Sequence, residues 1–168
     1  MAYVQNFFSD LAEAKKTEEL VRNVFGEMTD EYEFEDVSNE RQFFHRGDIR
    51  AIHKATGKEV FIEVKDDSRI HNSKNILCEE EVYFKENDYW QKGCMHSNYD
   101  IYVVVSRKIH KIYVIDFKKL RQFYKDGEFK KVDHAAQTTY CYLYPLGDAG
   151  ARGAIISAFH YRDKEVAA

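Results

Sequence analysis

The chain has 168 residues, 44% of them hydrophobic and 32% charged, and a formal net charge of −4. That length and composition fit one folded domain over residues 1–168 with a real core, and the net acidity excludes a protein that coats nucleic acid through bulk positive charge. No apolar run approaches the ~20 residues needed to cross a bilayer and the first residues lack a secretory pattern, so a cytoplasmic location and no membrane partner are expected.

Residues 9–25 carry a helical pattern, with Ser9 as the expected N-cap, Leu11, Leu20, Val21, Val24 and Phe25 mostly on one stripe, and Gly26 as the expected stop. Glu18 lies beside that stripe and Glu19 competes with it; helical periodicity alone does not choose between them. A strand is expected over Glu31–Ser38, then a loop over Ser38–Gln42, with Phe43 and Phe44 leading into the next strand.

From Gly47 to Lys65 the chain reads as a β-hairpin with its turn centred on Thr56-Gly57. That register pairs Asp48 with Lys65, Arg50 with Glu63 and Ile52 with Phe61. Side chains alternate between faces, so Asp48, Arg50, Ile52, Phe61, Glu63 and Lys65 share one face, and Ile49, Ala51, His53, Val60, Ile62 and Val64 share the buried one. Asp48 and Glu63 become diagonal neighbours with Cβ atoms roughly 7–8 Å apart, close enough for two carboxylates to share one metal ion, with Lys65 beside them. The bland alternative is a surface hairpin with an Asp48–Lys65 ion pair, which contributes little. His53 reads as a hydrogen-bonded core or edge histidine.

The polar segment Asp66–Lys74 takes the chain out of the sheet. Asn75–Phe84 fits a helix or a strand, and Lys85–Ser97 looks irregular, with Tyr89 and Trp90 expected to pack inward. Cys94 and His96 offer two zinc ligands, but no second pair completes a site, and the widely spaced Cys78, Cys94 and Cys141 read as thiols in or near the core of a protein from a reducing compartment. Tyr99–Ser106 is the strongest strand, apolar on both faces as a central strand is. Lys111–Phe117 is its expected hairpin partner, Lys118–Tyr124 a short helix, Thr138–Leu143 a strand, and Ala154–Phe159 a strand or short helix. The Gly147–Gly153 loop lacks the Gly-Lys-Ser/Thr ending of a P-loop. A basic run from Arg107 to Lys131, including Lys118, Lys119, Arg121, Lys125 and Lys130, is either a patch that tracks a phosphate backbone or a solvated surface.

Taken together, a glutamate-bearing helix, a strand, a strand with Asp48, a strand with Glu63-Val64-Lys65, a crossover and an apolar strand resemble the PD-(D/E)XK nuclease superfamily. Gly47-Asp48 stands where the family often has Pro-Asp, and Glu63-Val64-Lys65 matches its Glu-x-Lys element. Lys16-Thr17-Glu18-Glu19-Leu20-Val21-Arg22 is similar to the first helix of archaeal-type junction resolvases, which favours Glu18 over Glu19. Ser73-Lys74-Asn75-Ile76-Leu77-Cys78-Glu79, with Gly93, Ser97 and Tyr99-Asp100 after it, resembles phage and bacterial members that carry Thr-Gly-Asn, a short apolar strand and Glu; this tips Ile76–Val82 toward strand. The resemblance covers roughly Lys16 to Leu120 and leaves residues 125–168 unplaced.

The resemblance implies an α+β or α/β fold, a restriction-endonuclease-like core in which a central mixed β-sheet is flanked by helices in the order αβββαβ. It implies a metal-dependent deoxyribonuclease that hydrolyses DNA phosphodiester bonds, an endonuclease of the restriction, phage or repair and recombination type. Asp48, Glu63, Lys65 and Glu18 are the implied catalytic set, and Asp48, Glu63, the Val64 carbonyl and Glu18 the implied ligands of Mg²⁺ or Mn²⁺. Asp66, Arg69, His71, Lys74 and Glu79 are candidates for contact with duplex or branched DNA, Asp100 either orients its neighbours or caps a turn, and a homodimer would suit cutting at a two-fold site. The alternatives are a catalytically silent protein of the same fold that binds nucleic acid or a protein partner, and an unrelated interaction module. Acids gathered without metal repel one another, so one of them is expected to hold its proton unusually well.

Overall fold

The computed structural model describes residues 2–43, 45–123, 129–133 and 137–162. Phe44, Tyr124 and Lys125 lie outside them, as do the side chains of Lys130 and Lys131. In chain order the first elements are α1 (Ala2–Met28), β1 (Tyr32–Asp36), β2 (Ile49–His53), β3 (Glu59–Asp66), α2 (Ile70–Ser73), β4 (Asn75–Phe84) and β5 (Tyr89–Lys92). They are followed by β6 (Ile101–Ser106), β7 (Lys111–Asp116), α3 (Phe117–Gln122), β8 (Phe129–Asp133), β9 (Gln137–Pro145), α4 (Leu146–Ala151) and β10 (Ile155–His160). None of the described helices is long and apolar enough to cross a membrane.

Six strands form a mixed sheet in the order β1-β2-β3-β6-β7-β10, in which β3 and β6 run parallel and every other neighbour is antiparallel. Strand β6 sits inside this sheet with five of its six residues buried. Its side chains divide between two cores, Val103 and Val105 on one face and Tyr102 and Val104 on the other, which is why the strand is apolar without interruption. On the first face α1 supplies Val21 against Ile49, Ala51, Ile62 and Val64, the face of the β2–β3 hairpin expected to be buried. On the second, Ile76, Cys78, Tyr142 and Tyr144 of a four-stranded antiparallel sheet, β5-β4-β9-β8, join Phe117 and Leu120 of α3 and Ala149 of α4.

The second sheet was not expected. Its strands β4 and β5 lie within the connection between the parallel strands β3 and β6, and β8 and β9 complete it from the C-terminal region. The expected order αβββαβ is met along the chain, but β4 does not join the central sheet; the apolar strand that pairs with β3 is β6. Residues 146–151 form α4 where a glycine-rich loop was expected. Helix α1 begins at Ala2 and continues through Gly26 to Met28, so neither Ser9 nor Gly26 ends it.

The hairpin register differs by two residues from the expected one. Arg50 lies opposite Phe61, Ala51 opposite Val60 and Ile52 opposite Glu59. The reason is the turn: His53 N–H donates to Lys58 O and Gly57 N–H to His53 O, closing a four-residue connection in which Gly57 takes the positive φ of +68° at the last position. A shift of two preserves the faces of both strands, so Asp48, Glu63 and Lys65 remain on one side. His53, at the end of β2, is hydrogen-bonded as expected: it is half-buried against Tyr32, with Nδ1 3.0 Å from Thr56 Oγ1.

Candidate active site

A cleft of about 440 Å³ opens between α1 and the end of the β2–β3 hairpin, and Glu18, Asp48, Glu63, Val64 and Lys65 all line it. Glu18 is 8% exposed on the buried side of α1, whereas Glu19 faces solvent, so burial makes the choice that periodicity did not. Thr17 next to it is also buried; its hydroxyl donates to Asp66 Oδ2 at 3.1 Å and fastens the helix to the end of β3. Lys15 Nζ lies 3.0 Å from Glu18 Oε2 and so holds one oxygen of that carboxylate.

Asp48 enters the cleft just before β2. Its N–H donates to Ile62 O at 2.9 Å, and its Oδ2 accepts from Val64 N–H at 2.9 Å. Both bonds depend on Gly47, whose φ is +122° and whose place brings the backbone so close that a Cβ would sit 2.5 Å from Ile62 O. Proline, fixed near −65°, has no access to that conformation, so this backbone suits glycine before Asp48. The hairpin thus turns one carboxylate oxygen of Asp48 onto its partner strand.

Glu63, 8% exposed on β3, places Oε1 2.9 Å from Lys65 Nζ. Lys65 therefore pairs with Glu63, two residues away on the same face, and not with Asp48. The Glu63 carboxylate, aided by Glu79, holds the Lys65 ammonium well above the usual lysine range. Burial and the neighbouring Glu63 charge, with a smaller contribution from Glu18, push Asp48 up to about 8, against which the Val64 N–H and Lys65 act. This is the proton retention expected of crowded acids. The all-oxygen donor set of Asp48, Glu63 and Glu18 matches a hard divalent cation in chemistry. Among the described residues, however, no three acid, histidine or cysteine side chains already converge on one point. Glu63 and Glu18 are turned toward Lys65 and Lys15, and holding a cation requires them to exchange those partners for it.

Glu63 and Lys65 also line a second cleft, of about 240 Å³, on the side of the smaller sheet, together with Glu79, Phe84, Gln91, Cys94 and Tyr99. Glu79 comes to it through a register shift in the β4–β9 ladder between Glu79 and Glu81, and its N–H donates to Cys94 Sγ at 3.2 Å. Of the candidates for DNA contact, Glu79 therefore reaches this second cleft and Asp66 the first. Arg69 and Lys74 are exposed on the turn around α2, His71 bonds the Ser68 carbonyl, and none of the three lines either cleft. Asp100 orients its neighbours as one of its two readings held: Oδ2 accepts from Phe61 N–H at 2.9 Å and Oδ1 pairs with Lys118 at 2.8 Å, pinning β3 to β6.

Much of the basic run is drawn into internal contacts. Arg107 reaches Glu13 Oε2 at 2.9 Å and Asp66 Oδ2 at 3.0 Å, Lys119 bonds Gly153 O and Arg121 bonds Ser97 O. Cys94 and His96 point apart, the thiol toward Glu79 N–H and the imidazole toward Glu80, and all three cysteines are buried. The sequence reading passed over Asp10, Glu13 and Thr17 as cleft residues, although their spacing with Ala14 and Glu18 marks one helical face. Tyr99, in the second cleft, was not foreseen either, because its place depends on tertiary contacts. No family model matches the chain, and comparison with curated proteins and with solved structures gave no match.

Proposed function

We propose that the protein is a metal-dependent deoxyribonuclease of the PD-(D/E)XK type, an endonuclease built on a restriction-endonuclease-like core of α1, the β1–β2–β3 meander and β6. The observation that carries this reading is the cleft in which Glu18, Asp48, Glu63 and Lys65, drawn from a helix and a hairpin, meet with Asp48 pushed up to about 8. Asp48, Glu63, the Val64 carbonyl and Glu18 would hold Mg²⁺ or Mn²⁺, which supplies Lewis acidity toward the phosphate and a more acidic bound water. The remaining work belongs to the chain. Lys65, a permanent cation at neutral pH beside Glu63, orients the attacking water and offsets the negative charge that grows on the phosphate oxygens. The Val64 N–H fixes the rotamer of Asp48, and the Thr17–Asp66 bond fixes the approach of Glu18.

A second reading, a silent nuclease-fold protein that binds nucleic acid or a protein, is favoured by one observation: Glu18 and Glu63 already have ammonium partners. One experiment separates the two. Supercoiled plasmid, linear duplex, single-stranded and branched DNA are incubated with the protein in Mg²⁺, Mn²⁺ or EDTA, beside Asp48→Ala and Lys65→Ala. Cleavage that needs the metal and disappears in both variants is the expected result. Cleavage in EDTA, or cleavage that survives both substitutions, sinks the nuclease reading, and binding without any cutting supports the second.

A further inference from the structure

The β4–β5 hairpin displays aromatic rings that the fold leaves half exposed. All four residues of β5 are exposed, Tyr89 and Trp90 at 46% each, contrary to the inward packing expected of them, and β5 is an edge strand. The rings are nevertheless held in place. Tyr89 stacks on Phe84 with centroids 5.6 Å apart and an interplanar angle of 15°, and its hydroxyl donates to Gln91 Oε1 at 3.2 Å. Trp90 lies against Tyr83 at 5.1 Å and Tyr140 at 5.3 Å.

The register places Tyr89 opposite Phe84 and Gln91 opposite Val82, so these four share one face of the hairpin, and Tyr83 and Trp90 share the other. The first face is continuous with the candidate site: Val82, Phe84 and Gln91 line the same cleft as Glu63 and Lys65. A ring already stacked from behind loses little side-chain freedom when something lies on its outer side, and a nucleobase of any identity offers the matching π surface. Gln91, on the same face as Tyr89, adds an amide for a base edge.

We infer that this face holds an unpaired nucleobase of a single-stranded or frayed nucleic acid, stacked on Tyr89 with Phe84 behind it, so that the adjoining backbone runs along the cleft past Gln91 toward Lys65. Bases inside a duplex have their faces covered by their neighbours, so the shelf selects unstacked strands. The inference rests on the phosphodiesterase reading of the cleft, and binding tests it without cleavage.

The test measures fluorescence anisotropy of a labelled oligo(dT) of about twelve nucleotides, within the usual site size for single strands, and of a blunt duplex of equal length, both in EDTA. Wild type is compared with Tyr89→Phe, Tyr89→Leu and Tyr89→Ala. The single strand is expected to bind more tightly than the duplex. Tyr89→Phe keeps that affinity, while Leu and Ala weaken it about five- to a hundred-fold, the range for loss of one base–aromatic stack. Emission from Trp90, the chain's single tryptophan, reports whether the hairpin of each free variant is intact. Equal affinity for duplex and single strand, or wild-type binding by Tyr89→Ala, overturns the inference. So does a dimer that becomes a monomer in Tyr89→Ala with oligonucleotide binding unchanged, because the face is then an interface between copies. A protein that binds oligo(dT) through Tyr89 but cuts nothing in Mg²⁺ sustains the shelf and sinks the nuclease reading. One that cuts with Mg²⁺ while Tyr89→Ala binds as wild type does the reverse.

Discussion

Asp48 is the residue whose chemistry the fold alters most. Burial and Glu63 raise it to about 8 from an ordinary 3.8, so between those values the folded protein retains a proton that the unfolded chain has released. The sign follows: the native state binds more protons than the unfolded state, and stability falls as pH rises through that window. One such group contributes a slope of up to about 1.4 kcal/mol per pH unit. Asp48→Asn removes the group, so the fall in unfolding free energy from pH 5 to pH 8, measured by urea denaturation without divalent ions, is expected to be shallower in the variant than in wild type. Parallel slopes would mean that Asp48 titrates normally. Added Mg²⁺ is expected to raise the wild-type midpoint more at pH 8 than at pH 6, because cation and proton compete for the same oxygens, and to do little for Asp48→Asn. The choice of Asp48, Glu63 and Lys65 was legible in the sequence because alternation along two strands is independent of a two-residue register shift. What was not legible is which ammonium each carboxylate meets, since Lys15 reaches Glu18 and Lys65 reaches Glu63 through side-chain conformations that strand pattern does not specify.

The β2–β3 hairpin is the element on which the site depends, and Gly47 is its narrowest point. A Cβ there sits 2.5 Å from Ile62 O and 2.8 Å from Ile62 C, both backbone atoms of a strand paired on each side, so neither neighbour yields cheaply. Gly47→Ala combines that overlap with a positive φ and is expected to destabilise by about 1–3 kcal/mol, and to move the Asp48 carboxylate off the Val64 N–H. Denaturation and Mg²⁺ titration of the variant check both effects; a Gly47→Ala protein with wild-type stability would mean the backbone relaxes there. Ile62, 3% exposed in the same strand, tests the core beneath: Ile62→Ala is expected to cost about 2–5 kcal/mol. Elements with one clear period, such as β6, were legible from sequence. Strand β4 was ambiguous because its ladder shifts register between Glu79 and Glu81, which breaks the alternation that identifies strands. The N-terminal turns of α1 were missed because Ser9 offers a capping signal, yet the helix runs through it from Ala2.

At the scale of the whole molecule, the parallel β3–β6 pair forces a crossover, and the chain fills it with half of a second sheet that encloses Glu63 and Lys65 from the side opposite α1. Sequence pattern named most of these strands but not their partners, because pairing between β4 and β9, some sixty residues apart, leaves no local trace. The α1 side is closed by Arg107, at the turn between β6 and β7, which ties Glu13 and Thr17 of the helix to Asp66 at the end of β3. Arg107 and its two carboxylate partners are each about a third exposed or more, so as a contribution to stability the ties are small, within about 1 kcal/mol. Their consequence for the site is different in kind, because Glu18 stands one residue beyond Thr17, and a displacement of about 1 Å in a catalytic group costs about a hundredfold in rate. Arg107→Ala is therefore expected to unfold within about 1 kcal/mol of wild type while its Mg²⁺-dependent cleavage rate drops about ten- to a hundred-fold, and amide exchange in the middle of α1 quickens. A Glu18→Gln, Arg107→Ala double variant should be little worse than Glu18→Gln alone, since both changes act on the same carboxylate. If the two losses instead multiply, Arg107 acts on the substrate directly and α1 is held in place by its Val21 core alone.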